Sequence, residues 1–172
     1  MLWLLLISWT AFAGRWDDHP SDIVAERTIE ASPEELFSAV SQFRYLSRLF
    51  PEECVEDWAI GSPSVARLTY HVGPMRRRLT AKISRAEAGR FVEIDHEGDK
   101  GFVTQIRFEP RGDATLVRLA TFIHPPPRPF QGIYFKKVRP EWVRCYFETL
   151  DELADRVEQP KQAPESLEPY LP

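Results

Sequence analysis

The chain has 172 residues, of which 43% are hydrophobic and 12% aromatic, so its composition excludes a disordered protein. The length suits one domain with a sizeable core, and a formal net charge of −4 argues against a general nucleic-acid binder. Two cysteines, Cys54 and Cys145, are too few for a disulfide scaffold and lack metal-ligand spacing. We predict that both are buried small apolar residues, with a single bridge as the alternative for an exported protein.

The two ends of the chain differ in character from its middle. Residues 1–22 begin with an apolar run, 1–13, that is too short for a transmembrane helix and lacks the basic start of a signal peptide. Export or membrane tethering through this run and residence in the cytoplasm are therefore both open. Residues 159–172 hold four prolines and no apolar period, which predicts a mobile tail. One globular domain is expected over residues 23–158.

The first predicted strand, DIVAERTIEA, leads directly into a strong helix-start signal. Ser32 is placed as an N-cap whose hydroxyl accepts a hydrogen bond from the amide of Glu35. Pro33 occupies the first helical position, and the Glu35 side chain completes a capping box. An apolar stripe follows, and the helical unit ends at Pro51. The pattern predicts two short helices directly after the first strand.

Six further strand segments follow at the close spacing of an antiparallel meander: VEDWAIG, VARLTYHV, RRLTAKISRAEA, RFVEIDHEG, GFVTQIRFEP and ATLVRLATFIH. The apolar period then changes to three or four residues, which indicates one long amphipathic helix. Pro140 either starts this helix or kinks a longer one. The apolar stripe that defines the helix comprises Val143, Phe147, Leu150, Ala154 and Val157.

Loop lengths in the meander determine which side chains share a face, because directly opposed residues of an antiparallel pair lie on one face. We place a three-residue loop at Asp99-Lys100-Gly101 and two-residue loops at Arg111-Gly112 and Pro74-Met75. These loops give one continuous apolar face and one charged face. The predicted pairs are His96 and Thr104, Ile94 and Ile106, Phe102 and Thr121, Thr104 and Leu119, and Tyr70 and Leu79.

A curved antiparallel sheet of about seven strands around a long C-terminal helix, with two short helices after the first strand, resembles the α+β helix-grip fold. The segments TIEASPEELFSAVSQF, RAEAGRFVEI and IRFEPRGDATLVRL resemble those of the START-like, Bet v 1-like polyketide cyclase/dehydrase superfamily. FRYLSRLFPE is similar to the second helix of the coenzyme Q-binding START-like branch, which is the nearest branch. These motifs are not catalytic, so they indicate the fold rather than the chemistry.

The resemblance implies an elongated cavity between the sheet and the long helix. Such a cavity would bind or transport a hydrophobic small molecule, such as a lipid, an isoprenoid quinone or a polyketide-like compound, without a cofactor or a metal. The same residues would also serve as an ordinary sheet-on-helix core. The predicted apolar and aromatic lining comprises Leu68, Tyr70, Ile83, Ile94, Phe102, Ile106, Leu119, Ile123, Tyr134, Trp142, Tyr146 and Phe147.

The polar residues His96, Thr104 and Thr121 are predicted to cluster on the inward face, joined by Tyr70. An unpaired buried polar atom costs about 1–3 kcal/mol, so these residues either satisfy one another or bind the ligand. The alternative function is a cyclase or dehydratase with His96 and Tyr70 as acid and base, although no carboxylate on that face is placed to orient His96. A protein–protein interaction module is the second alternative.

The segment before the long helix, RPFQGIYFKKVR, mixes aromatic and basic residues. In the fold it would lie at one mouth of the cavity. Its aromatics either close the end of the core, or residues 128–139 form a gate that touches an anionic membrane surface. On the gate hypothesis we predict greater exposure for Phe130, Ile133 and Tyr134 than for Phe147 and Leu150.

Overall fold

The computed structural model describes residues 23–98, 101–123 and 128–158; the apolar segment 1–22 and the proline-rich tail 159–172 lie outside these ranges. One antiparallel sheet has the strand order β1-β7-β6-β5-β4-β3-β2. Its strands are β1 (Ile23–Ile29), β2 (Val55–Ser62), β3 (Val65–Val72), β4 (Met75–Glu87), β5 (Phe91–Glu97), β6 (Phe102–Arg111) and β7 (Ala114–Phe122). The helices are α1 (Pro33–Val40), α2 (Phe43–Leu46), α3 (Arg128–Ile133) and α4 (Arg139–Glu158). The predicted α+β helix-grip fold is confirmed.

The start of α1 has the predicted capping box. The Glu35 amide donates to the Ser32 hydroxyl at 3.3 Å, and the Ser32 amide donates to the Glu35 carboxylate at 3.1 Å. Two otherwise unpaired backbone amides are thus satisfied reciprocally at the helix entrance. The buried side chains Leu36 and Val40 then hold α1 against the core, and the two short helices connect β1 to β2 at the opposite edge of the sheet.

The strand pairs differ from the predicted ones by two residues, although the predicted faces are right. His96 lies opposite Phe102, Ile94 opposite Thr104, and Thr104 opposite Thr121. The β6–β7 turn consists of Gly112 and Asp113, one residue later than the predicted Arg111-Gly112. Gly112 has φ +66°, a left-handed conformation that glycine tolerates. A shift by two preserves the side-chain alternation, which has a period of two. Leu68 accordingly faces Leu79, and Tyr70 faces Arg77.

The C-terminal helix is longer than α4, because α3 leads into it through the π-helical turn Tyr134–Val138. Pro140 has no amide hydrogen, and its ring would collide with the carbonyl four residues earlier. The preceding Arg139 amide donates to the Tyr134 carbonyl, five residues back, which widens the helix at this point. Of the two alternatives, Pro140 therefore interrupts a longer helix. Within the described residues, no helix is long and apolar enough to cross a bilayer.

The buried face of α4 is rotated by one residue from the predicted stripe. Trp142, Tyr146 and Leu150 are buried, whereas Phe147 is 45% exposed. Adjacent residues on a helix point about 100° apart, and Phe147 lies outside the buried stripe that Cys145 and Tyr146 occupy on this turn. Tyr146 takes the inward position, where its hydroxyl meets polar partners on the sheet. The predicted inward position of Phe147 is therefore wrong.

Cys54 and Cys145 are both buried, as predicted, but they form a disulfide rather than two free thiols. Their Cα atoms are 6.0 Å apart, and the bridge joins the segment just before β2 to the middle of α4. Because β2 is an edge strand, the bridge fixes the helix to the end of the sheet opposite β1. The structure thus contains the single disulfide that the sequence analysis gave as the alternative.

Candidate functional site

A small cavity lies between the sheet and α4. Its volume is about 10 Å³, which is roughly the space of one water-sized sphere. A lipid or polyketide could enter only if side chains moved aside. The lining comprises Tyr70, Val72, Met75, Arg77, Leu79, Phe102 and Trp142, of which Tyr70, Phe102 and Trp142 were predicted.

Aromatic rings fill the rest of this interior. The ring of Phe102 lies 5.7 Å from Tyr70 and 5.1 Å from Trp142, centroid to centroid, and both contacts are edge-to-face. On its other side Phe102 stacks on the imidazole of His96 at 4.1 Å. The Phe102 ring therefore borders both the cavity and the buried histidine.

A buried polar network connects the sheet to α4 beside these rings. His96 Nε2 lies 3.1 Å from Thr104 Oγ1, which lies 2.8 Å from Thr121 Oγ1. The Tyr146 hydroxyl approaches both threonines, at 3.3 Å from Thr104 and at short range from Thr121. The predicted cluster of His96, Thr104 and Thr121 is therefore present, and its fourth member is Tyr146 rather than Tyr70.

Burial keeps the ionisable members of the site uncharged. It lowers the pKa of His96 from 6.5 to about 3, because the imidazolium would lose its hydration. It raises the pKa of Tyr70 and of Tyr146 for the same reason, although the hydroxyls of Thr104 and Thr121 partly oppose the shift in the pKa of Tyr146. The network is thus neutral at physiological pH.

One nitrogen of His96 has no hydrogen-bond partner among the described residues. Nδ1 is fully buried, and the only bond of the ring runs from Nε2 to Thr104. The four contacts of the network need four donors, whereas its three hydroxyls supply three protons. We therefore assign the fourth proton to His96 Nε2. This assignment leaves Nδ1 as an unpaired acceptor with its lone pair directed into the interior.

The other predicted lining residues occupy three kinds of position. Ile83 and Ile123 are half-buried at the margin of the core, and Tyr134 is buried on the π-helical turn. Phe147 is exposed, as described above. Buried in the core, but apart from the cavity, are Leu68, Ile94, Ile106 and Leu119.

The sequence pattern of β4 indicates three cavity residues that the predicted lining omits. In the run MRRRL the inward residues Met75, Arg77 and Leu79 alternate with the exposed Arg76 and Arg78. The three consecutive arginines concealed this period of two, which is typical of a half-buried strand. Among the described residues, no group of histidine, cysteine, aspartate or glutamate is arranged to hold a metal ion.

The Tyr146 hydroxyl is expected to stabilise the fold through this network. Tyr146→Phe should lower the free energy of unfolding by about 1–2 kcal/mol, because two buried threonines lose a partner while the ring packing remains. Urea unfolding of both proteins measures the change. Tyr45→Phe, on the exposed side of α2, is the matched control and should change nothing measurable. Equal small losses in both variants would show that the network contributes no stability.

The chain belongs to the family described as polyketide cyclase / dehydrase and lipid transport, whose model matches residues 21–158. Solved structures agree on the helix-grip fold. Protein TTHA0849 from Thermus thermophilus has a TM-score of 0.66 at 19% identity, covering 79% of this chain and 96% of its own. A norcoclaurine synthase mutant from Thalictrum flavum, in complex with a transition-state analogue, has a TM-score of 0.64 at 13% identity, covering 79% and 92%.

A third similar structure is the Aha1 dimer from Colwellia psychrerythraea, with a TM-score of 0.55 at 17% identity, covering 81% of this chain and 97% of its own. At these identities the structural likeness establishes the fold alone. No sequence among curated proteins matches this chain significantly. The similarity to the coenzyme Q-binding branch stays a prediction.

Proposed function

We propose that the protein binds and carries a hydrophobic small molecule with a hydrogen-bond donor group, in the interior between the sheet and α4. The family description, which includes lipid transport, supports the apolar part of this ligand. The observation that carries the polar part is the buried, unpaired Nδ1 of His96. Most buried polar atoms in folded proteins are paired, so an unpaired acceptor that only the Phe102 ring separates from a cavity supports a ligand that supplies the donor.

Entry of the ligand requires the aromatic rings to move. Phe102 lies against the cavity on one side and against His96 on the other, so a change in its rotamer would open a path from the cavity to His96. Aromatic rings that contact one another edge-to-face contribute about 0.5–1.5 kcal/mol per pair beyond their burial. The interior can therefore open at a cost that the burial of an apolar ligand offsets.

A carrier is better supported than an enzyme. A general base must accept a proton near neutral pH, and burial opposes protonation of His96. The acidic residues of β5, Glu93, Asp95 and Glu97, alternate with His96 and so lie on the opposite face of the sheet. There Glu93 Oε2 accepts from Gln105 Nε2 at 2.7 Å. No carboxylate orients His96 within the described residues, so an acid/base pair for a cyclase or dehydratase is incomplete.

A pair of probes that differ only in a donor tests the proposal. We expect 1-naphthol to bind up to about tenfold more tightly than 1-methoxynaphthalene, because only naphthol can donate to His96 Nδ1. His96→Phe should abolish this preference. Isothermal titration gives both affinities, and native mass spectrometry of the freshly purified protein identifies any co-purified ligand.

Thr115→Val is the matched control. Its buried hydroxyl donates to the Ala31 carbonyl at 2.7 Å, six residues along β7 from Thr121, so the variant loses a buried hydrogen bond outside the site. It should keep the preference for naphthol. Binding of neither probe to the wild-type protein, or the same preference in His96→Phe, would refute the proposed anchor.

A further inference from the structure

Residues 128–139 carry a concentration of positive charge that contrasts with the whole chain. The segment RPFQGIYFKKVR contains four cations and no acidic residue, in a protein whose formal net charge is −4. Lys136 and Lys137 are exposed, and neither forms an ion pair within the described residues. Their charges are therefore available to an external anionic partner.

The same segment exposes large apolar side chains. Phe130 is 58% exposed, and Ile133 and Phe135 are each 51% exposed. Phe130 and Ile133 lie on one face of α3, because residues three apart on a helix are neighbours. The predicted exposure of Tyr134 is wrong, since this ring is buried together with Val138 and fixes the segment to the core. A firmly attached segment thus presents an apolar and basic outer surface.

This surface lies close to one part of the cavity wall. The β3–β4 turn packs against the π-helical turn so closely that a Cβ at Gly73 would lie 3.1 Å from the Lys137 carbonyl oxygen. Val72 and Met75, which flank this turn, line the cavity, and Trp142 of α4 closes it from the helix side. A partner seated on residues 128–139 would therefore lie next to the wall of the cavity.

We propose that residues 128–139 dock the protein on an anionic lipid bilayer. Exposed apolar side chains beside lysines are typical of interfacial helical segments, in which the apolar groups enter the headgroup region and the cations meet anionic lipids. An acidic protein is repelled by an extended polyanion such as RNA, whereas a flat bilayer meets one face only. The docking surface does not depend on the identity of the cavity ligand.

Vesicle flotation with the full chain tests the proposal. We expect binding to vesicles of phosphatidylcholine with about 30% phosphatidylglycerol at 0.1 M salt, and little binding to phosphatidylcholine alone. Binding should fall steeply between 0.1 M and 1 M salt, because the Debye length shrinks from about 10 Å to about 3 Å. Salt-independent binding, or equal binding to both vesicle types, would overturn the electrostatic part of the proposal.

Two double variants distinguish the effect of this surface on binding from the effect of the net charge. Lys136→Gln with Lys137→Gln should weaken binding about 25-fold, since each basic residue contributes about fivefold at a lipid surface. Arg67→Gln with Lys82→Gln is the matched control, because it removes two exposed cations on β3 and β4 and gives the same net charge. It should weaken binding less than threefold. Equal losses in the two variants would overturn the assignment to residues 128–139.

A further double variant tests the exposed apolar residues Phe130 and Ile133. Phe130→Ser with Ile133→Ser should lower binding at least about tenfold and leave the thermal midpoint unchanged, because both side chains are exposed. Ile60→Ser on the edge strand β2 is the control. Light scattering of the wild-type protein without vesicles measures self-association. A dimer that Phe130→Ser with Ile133→Ser disrupts would identify the surface as a contact between two copies and overturn the proposal.

Discussion

Loss of the Cys54–Cys145 bridge is expected to lower the free energy of unfolding by about 4 kcal/mol. The two cysteines are 91 residues apart, and a cross-link that closes a loop of this length removes a large part of the entropy of the unfolded chain. The bridge also fastens α4 to the start of an edge strand. Urea unfolding of the oxidised protein and of Cys54→Ala with Cys145→Ala measures the difference.

The single variants distinguish the bridge from ordinary packing. If the cross-link supplies the stability, Cys54→Ala and Cys145→Ala should each lose nearly the whole amount, and the double variant should lose little more. Losses that are small in each single variant and add in the double would mean that the sulfurs act only as buried apolar groups. Both residues are buried, so we also expect the native bridge to resist mild reductants.

The stabilisation depends on the compartment. Disulfides persist in oxidising environments and are reduced in the cytosol, so the full effect belongs to an exported protein. The sequence left this alternative open, because residues 1–13 are apolar but lack a basic start. Mass spectrometry of the protein from its native host, with free thiols blocked at lysis, determines whether the bridge is formed there.

The faces of the sheet were predictable, whereas its exact pairs were not. Alternation fixes which side of a strand each residue occupies, so Thr104 and Thr121 were correctly placed inward. The pairs depend on which residues form each turn, and the choice between Arg111-Gly112 and Gly112-Asp113 shifts every pair by two. Nothing in a single sequence distinguishes these turns strongly, because both contain the glycine.

The candidate site was predicted in part, for a similar reason. The apolar period of α4 fixes its buried stripe only within one residue, so Tyr146 and Phe147 were both placed inward. The choice between them depends on the polar partners across the helix–sheet contact. Those partners, Thr104 and Thr121, become visible only when α4 lies against the sheet. The small volume of the cavity likewise depends on the packing of rings from distant segments.

Acid is expected to destabilise the protein through His96. The pKa of this histidine is about 3 in the folded state and about 6.5 in the unfolded chain, so only the unfolded chain takes up the proton between these values. The free energy of unfolding should therefore fall by about 1.4 kcal/mol for each pH unit below 6.5, or about 2 kcal/mol at pH 5. Above pH 6.5 both states are neutral, and His96 adds no pH dependence. Urea unfolding at pH 7.5, 6.5, 5.5 and 5.0 measures this slope.

Variants distinguish the contribution of His96 to this pH dependence from that of the carboxylates, which also titrate at low pH. His96→Phe keeps an aromatic ring against Phe102 but removes the titrating group, so its stability should fall more slowly between pH 6.5 and 5.0. The rings nearest to His96, Tyr70 and Phe102, carry no charge in this range, because burial raises the pKa of Tyr70. Thr115→Val, which removes a buried hydrogen bond outside the site and no titrating group, is the control and should retain the wild-type slope. The same slope in His96→Phe would mean that His96 is already hydrated in the folded protein, and a ligand could then reach it without any movement of the rings.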